Sequence, residues 1–78
     1  MTTSNVRRLS THRAIQIAAL ADRARDERVA YYCRAIKAVE ISNSGAARHF
    51  NALAQKWERV RIRADRALIN DRAASAIV

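Results

Sequence analysis

Apolar residues recur along this chain at helical rather than strand spacing. Between Ser10 and Ile41, the residues Ala14, Ile17, Ala18, Ala21, Val29, Tyr32, Ala35, Ile36 and Val39 fall on one side of a helix turning 100° per residue. No Pro or Gly interrupts that stretch, and Ser10 or Thr11 is placed to cap its first amides. The pattern predicts a helix over about 11–41, ~45 Å long at 1.5 Å per residue. Its stripe is broken midway, where Asp22-Arg23-Ala24-Arg25-Asp26-Glu27-Arg28 sets Arg25 and Arg28 on the apolar side. Ser42-Asn43-Ser44-Gly45 is the one convincing break. Asn or Gly tolerates the left-handed conformation that ends a helix, and Asn43 or Ser44 can cap the next one.

From about 46 to 72, Ala46, Phe50, Leu53, Trp57, Val60, Ala64 and Ala67/Leu68 recur at alternating steps of four and three. That is a heptad seam suited to packing along another helix. A turn as short as 42–45 makes the two helices antiparallel neighbours. Runs of β-branched residues with period-two alternation, the mark of strands, are missing. Residues 1–9 read as a loose basic arm and 10–78 as a single helical hairpin domain. The expected fold class is all-α: an antiparallel two-helix hairpin.

Composition adds a constraint. Half of the 78 residues are hydrophobic, but Trp, Phe and Tyr together number four, and much of the apolar half is alanine. Alanine favours helix yet buries little area. Ordering costs about 1.5 kcal/mol per residue, which a lone hairpin of small side chains struggles to offset. The hairpin is therefore expected to dimerise into a four-helix arrangement, or to complete its folding on a partner. The residues expected in the core or dimer seam are Ile17, Tyr32, Ile36, Phe50, Leu53, Trp57, Val60 and Leu68. Tyr31 points about 100° away from Tyr32 and reads as the more exposed of the two, a candidate interface anchor.

The formal net charge is +8, and all but two of the fifteen basic residues are arginine. Such a balance implies attraction to something acidic: nucleic acid, an anionic membrane surface or an acidic protein face. Arg48, Lys56, Arg59, Arg63 and Arg66 share about a third of the second helix's circumference, opposite its seam. Arg25 and Arg28 either pair with acids across the hairpin or a dimer interface, Asp65 and Asp71 being candidates, or take part in docking. The candidate partner-binding residues are Arg25, Arg28, Tyr31, Arg48, Arg59, Arg63 and Arg66.

Catalytic chemistry has little to stand on. Cys33 is the lone cysteine, His12 and His49 are isolated from it, and one Gly cannot make a phosphate loop. No catalytic residue, cofactor or metal is expected. No apolar stretch is long enough to span a bilayer, and the start lacks the apolar segment of a secretory signal. The simplest setting is a reducing bacterial cytoplasm.

Two resemblances sharpen the function. The stretch Ala35-Ile36-Lys37-Ala38-Val39-Glu40-Ile41-Ser42-Asn43-Ser44-Gly45-Ala46-Ala47-Arg48-His49-Phe50-Asn51-Ala52-Leu53 resembles the helix-turn-helix of LysR-type regulators. That resemblance implies a DNA-binding transcriptional regulator in which Ser42, Ser44, Arg48 and His49 face the major groove or its phosphates. Glu40 stands where that turn usually carries Gly or another small residue. The second covers most of the chain. A basic Thr/Ser-rich start, Arg13-Ala14-Ile15-Gln16-Ile17-Ala18-Ala19-Leu20-Ala21, the Ser-Asn-Ser-Gly turn and a second helix bearing Trp57 are similar to small anti-quorum-sensing hairpin proteins of Mu-like Pseudomonas phages. This resemblance implies a homodimeric anti-activator. Its targets would be host proteins such as a quorum-sensing transcription activator or the type IV pilus assembly ATPase. The expected function is a small non-enzymatic inhibitor that occludes an acidic surface on such a host protein. The alternative is DNA binding through 35–53.

Overall fold

A computed structural model describes residues 9–77, and they form two α-helices, α1 (Thr11–Glu40) and α2 (Ser44–Ile77). The helices lie antiparallel along their whole length in a rod of 56 × 23 × 14 Å. The hairpin expected from the sequence is present. The loose arm, placed at 1–9, falls outside the described residues except for Leu9, which is not loose. Leu9 packs against Ile17, Ala21 and Ala64, and its N–H donates to Asp71 Oδ1 at 2.7 Å. α2 continues to Ile77 rather than ending near 72.

Local chemistry explains both ends of the turn. Ser10 caps α1, its hydroxyl accepting from the Arg13 N–H at 3.1 Å. At the other end the Asn43 N–H donates to the Ala38 carbonyl (2.8 Å) and the Ser42 N–H to the Val39 carbonyl (2.9 Å). This is the paired pattern of a Schellman motif. Its left-handed position falls on Ser42, with φ of 60°. Gly45, the residue best suited to that conformation, instead has an ordinary negative φ inside the first turn of α2. Asn43 serves twice, closing α1 through its N–H and capping α2 by accepting the Ala46 N–H on Oδ1 at 3.0 Å. The connection is thus three residues, not four.

The seam differs from the expected one. On α1 it runs Ile17, Ala21, Ala24, Arg28, Tyr31, Ala35 and Ala38, and on α2 Phe50, Ala54, Trp57, Arg61, Ala64, Leu68 and Asp71. Both sets step by four and three. The fully enclosed positions are alanines, Ala24 and Ala54 at 0% exposure, and no large side chain is fully buried. Small side chains let two backbones approach closely, so α1 turns its alanines inward and leaves its bulkier residues outside. Tyr32 and Ile36, expected in the seam, are 37% and 60% exposed, and Tyr31 takes the inward place. On α2, Leu53 and Val60 sit half-buried at the seam's edge, while Phe50, Trp57 and Leu68 belong to it as expected. Ile17 is buried as expected, beside Leu68. No helix among the described residues is long and apolar enough to cross a membrane.

Two stability effects follow. A non-glycine residue at positive φ costs about 1–2 kcal/mol and a helical glycine about 0.5–1 kcal/mol. A Cβ on Gly45 would meet only Asn43 Oδ1, at an ordinary 3.8 Å. Ser42→Gly and Gly45→Ala should therefore each raise stability, by about 0.5–1 kcal/mol in urea unfolding. Enlarging the enclosed alanine acts the other way. Ala54→Leu should cost about 1–3 kcal/mol by overpacking, a loss readable as a lower thermal midpoint.

Candidate functional site

The middle of the rod is polar, because Arg28 and Arg61 occupy seam positions. A guanidinium placed there needs carboxylates, and it finds them in a continuous alternating chain across the two helices. Asp22 Oδ1 accepts from Arg25 Nη1 at 2.8 Å, and Arg25 Nη2 reaches Asp65 Oδ1 at 3.1 Å. Asp65 Oδ2 accepts from Arg61 Nη1 at 2.8 Å. Arg61 holds Glu58 with two bonds, Nε to Oε1 at 2.7 Å and Nη2 to Oε2 at 3.0 Å. Arg28 Nε lies 3.4 Å from Glu58 Oε1, sealed from water without a hydrogen bond. Hydrogen bonds from Arg61, joined by the charges of Arg61 and Arg28, hold the Glu58 carboxyl below its ordinary 4.5 despite partial desolvation. The same bonds hold the Arg61 guanidinium above its ordinary value.

This arrangement decides which charges remain for a partner. The three acids of α2 are Glu58, Asp65 and Asp71. The first two belong to the chain just described, and Asp71 holds the Leu9 amide. The outward half of α2 carries Arg48, Lys56, Arg59, Arg63 and Arg66, all exposed, with no acid among them. From Arg48 to Arg66 that ridge extends about 27 Å along the helix.

Aromatic residues line one flank of the joint. Tyr31 stacks on Phe50 with ring centroids 6.2 Å apart, and His49 tilts against Phe50 at 5.6 Å. Arg34 lies 5.0 Å over the Tyr31 ring, and Arg23 lies 5.4 Å over Trp57. These guanidiniums cover the aromatic faces as cation–π partners. The opposite flank is different: Val29, Tyr32, Ile36 and Val39 form an exposed apolar row on α1, at 53%, 37%, 60% and 65%. Near the turn an open groove runs between that row and Ala47, Arg48 and Asn51 of α2.

The expected partner-binding residues therefore divide. Arg48, Arg59, Arg63 and Arg66 stand together on the outer ridge. Arg25 pairs with Asp65, one of the two acids suggested for it, and Arg28 lies against Glu58. Tyr31 is occupied within the hairpin, so of the adjacent tyrosines it is Tyr32 that offers free surface. Glu58 and Arg61 escaped the sequence reading, although acids three residues before and four after an arginine are a visible helix-face signal. Cys33 is exposed, and among the described residues no three His, Cys, Asp or Glu side chains are placed to hold a metal. Comparison with protein-family models, curated proteins and solved structures finds no match for this chain.

The ion chain gives a pH signature. Glu58 is more acidic folded than unfolded, so its contribution is complete above the ordinary 4.5 and is lost as pH falls below it. In thermal unfolding, Glu58→Gln should be destabilised relative to the parent at neutral pH. That gap should close as both are taken to more acidic pH.

Proposed function

We propose that this chain is a small non-enzymatic inhibitor that acts by stoichiometric occlusion, laying the outer face of α2 on an acidic surface of a target protein. The observation that carries this reading is the segregation of charge on α2. Its acids are consumed on the α1 side, and five cations stand along the outer side with nothing to neutralise them. Arginine supplies four of the five, which suits bidentate pairing with carboxylates. A ridge of one sign speeds encounter with an oppositely charged face and makes binding sensitive to salt.

The continuity of α1 supports a protein target over duplex DNA. A compact helix-turn-helix needs short helices crossing steeply, with the second free to enter the groove. Here α1 passes through 25–29 without interruption and packs along α2 up to the turn. Ser42 is held in the turn itself, away from the outer ridge. The targets implied by the phage-protein resemblance, a quorum-sensing transcription activator and the type IV pilus assembly ATPase of a bacterial host, are the first to try.

Affinity capture from a bacterial host lysate, with and without nuclease, tests this reading. We expect one stoichiometric protein partner that survives nuclease and is released by salt. The triple variant Arg59→Glu/Arg63→Glu/Arg66→Glu should bind that purified partner about tenfold or more weakly, because three favourable pairings become repulsive. Loss of every partner on nuclease treatment would sink the proposal and favour nucleic acid as the ligand.

A further inference from the structure

The row Val29, Tyr32, Ile36 and Val39 is not needed by the hairpin, since none of the four lies in the α1–α2 seam. It steps by three, four and three, the rhythm of a second helix-packing seam on α1. Four large, partly exposed side chains in a row make an apolar patch of roughly a few hundred Å2, the scale that marks an interaction site on a monomer. It lies on a different helix from the cationic ridge of α2.

We infer that this row is a twofold interface with a second copy of the chain, the two α1 helices lying antiparallel about an axis beside Tyr32 and Cys33. A twofold interface must be complementary to itself, and this row is. Val29 stands three residues before Tyr32 and Ile36 three after Cys33, so rotation about an axis between residues 32 and 33 exchanges them. The same rotation exchanges Arg25, seven before Tyr32, with Glu40, seven after Cys33. Glu40 is exposed and has no ion pair among the described residues, and Arg25 is also exposed, holding Asp22 and Asp65. Antiparallel pairing brings the Glu40 carboxylate of each copy to the Arg25 guanidinium of the other. It also lays Val39 on the methylene stem of that arginine. A parallel pairing in register would set Arg25 on Arg25 and Glu40 on Glu40, so charge selects the antiparallel arrangement. The two hairpins then form a four-helix layer with both α2 ridges left free.

Sedimentation equilibrium and cross-linking of the full chain test this. The chain should sediment as a dimer at micromolar concentration. Ile36→Arg should raise the dissociation constant about thirtyfold or more, the loss expected of a central anchor, with helix content by circular dichroism unchanged. Should Ile36→Arg lose helix, Val39→Arg probes the same face at a position that is 65% exposed. Cys33 is exposed beside the inferred axis, so a short bis-maleimide should link two copies of the parent but not of Ile36→Arg. Moving the thiol with Cys33→Ser/Glu40→Cys should abolish linking, because an antiparallel pair separates the two positions 40 by about 22 Å. Three results would overturn the inference. One is a monomer at about 100 μM, above the range in which standard interfaces associate. The others are a dimer that both arginine variants leave intact, and equal linking from position 40. None of these bears on target binding by α2, so the two ideas fail separately.

Discussion

Two helices that meet on alanines can come close together, but they gain little by doing so. Each enclosed methyl removes a small area from water, and no large side chain is fully buried anywhere in the described residues. An alanine seam also says little about register, since sliding by one heptad sets alanine against alanine again. The unequal layers supply what it lacks. The Tyr31–Phe50 stack and the six-residue ion chain each match at only one alignment of the two helices. A slip would leave Arg28 and Arg61 facing methyl groups, at the cost of uncompensated charge. Alanine sets the distance between the helices, and the polar middle sets their alignment.

That division of labour shapes the exterior. Seven acids face fifteen basic residues, and the fold draws Asp22, Glu58 and Asp65 into pairing while Asp71 holds a backbone amide. What remains outside is more one-sided than the net charge of +8 suggests. The aromatic residues follow a similar logic. Arg34 and Arg23 lie over Tyr31 and Trp57, which leaves the aliphatic row of α1 as the uncovered apolar surface. The folded chain thus presents two surfaces of different chemistry, one ionic and one apolar, on different helices.

Most of the fold was legible in the sequence. Helix extents follow from the lack of breakers, the Ser10 cap and the Ser42–Asn43 turn, all readable from residue type. Rotation of α1 about its own axis was not. The positions 29, 32, 36 and 39 outweigh 24, 31, 35 and 38 in hydrophobic mass, and a periodicity reading follows mass. Packing followed size instead, because only the alanine side lets the helices close. The turn misled for a related reason. Gly45 was the best left-handed residue available, yet the hydrogen bonds ending α1 placed that conformation on Ser42. Within the candidate site, the outer ridge was legible from helical angle alone. The Arg61 pairs with Glu58 and Asp65 were legible in principle from their spacing. Exclusion of Tyr32 and inclusion of Tyr31 needed the partner helix.

The bond between the Leu9 amide and Asp71 ties the entrance of α1 to the last turns of α2. Both ends of the folded region therefore leave from the same pole of a rod 56 Å long, and the Ser42–Asn43 bend forms the opposite pole. A carrier, label or surface tether joined beyond either end stands clear of that bend. The hairpin can then be presented tip-first, with its full length available for reaching into a crevice.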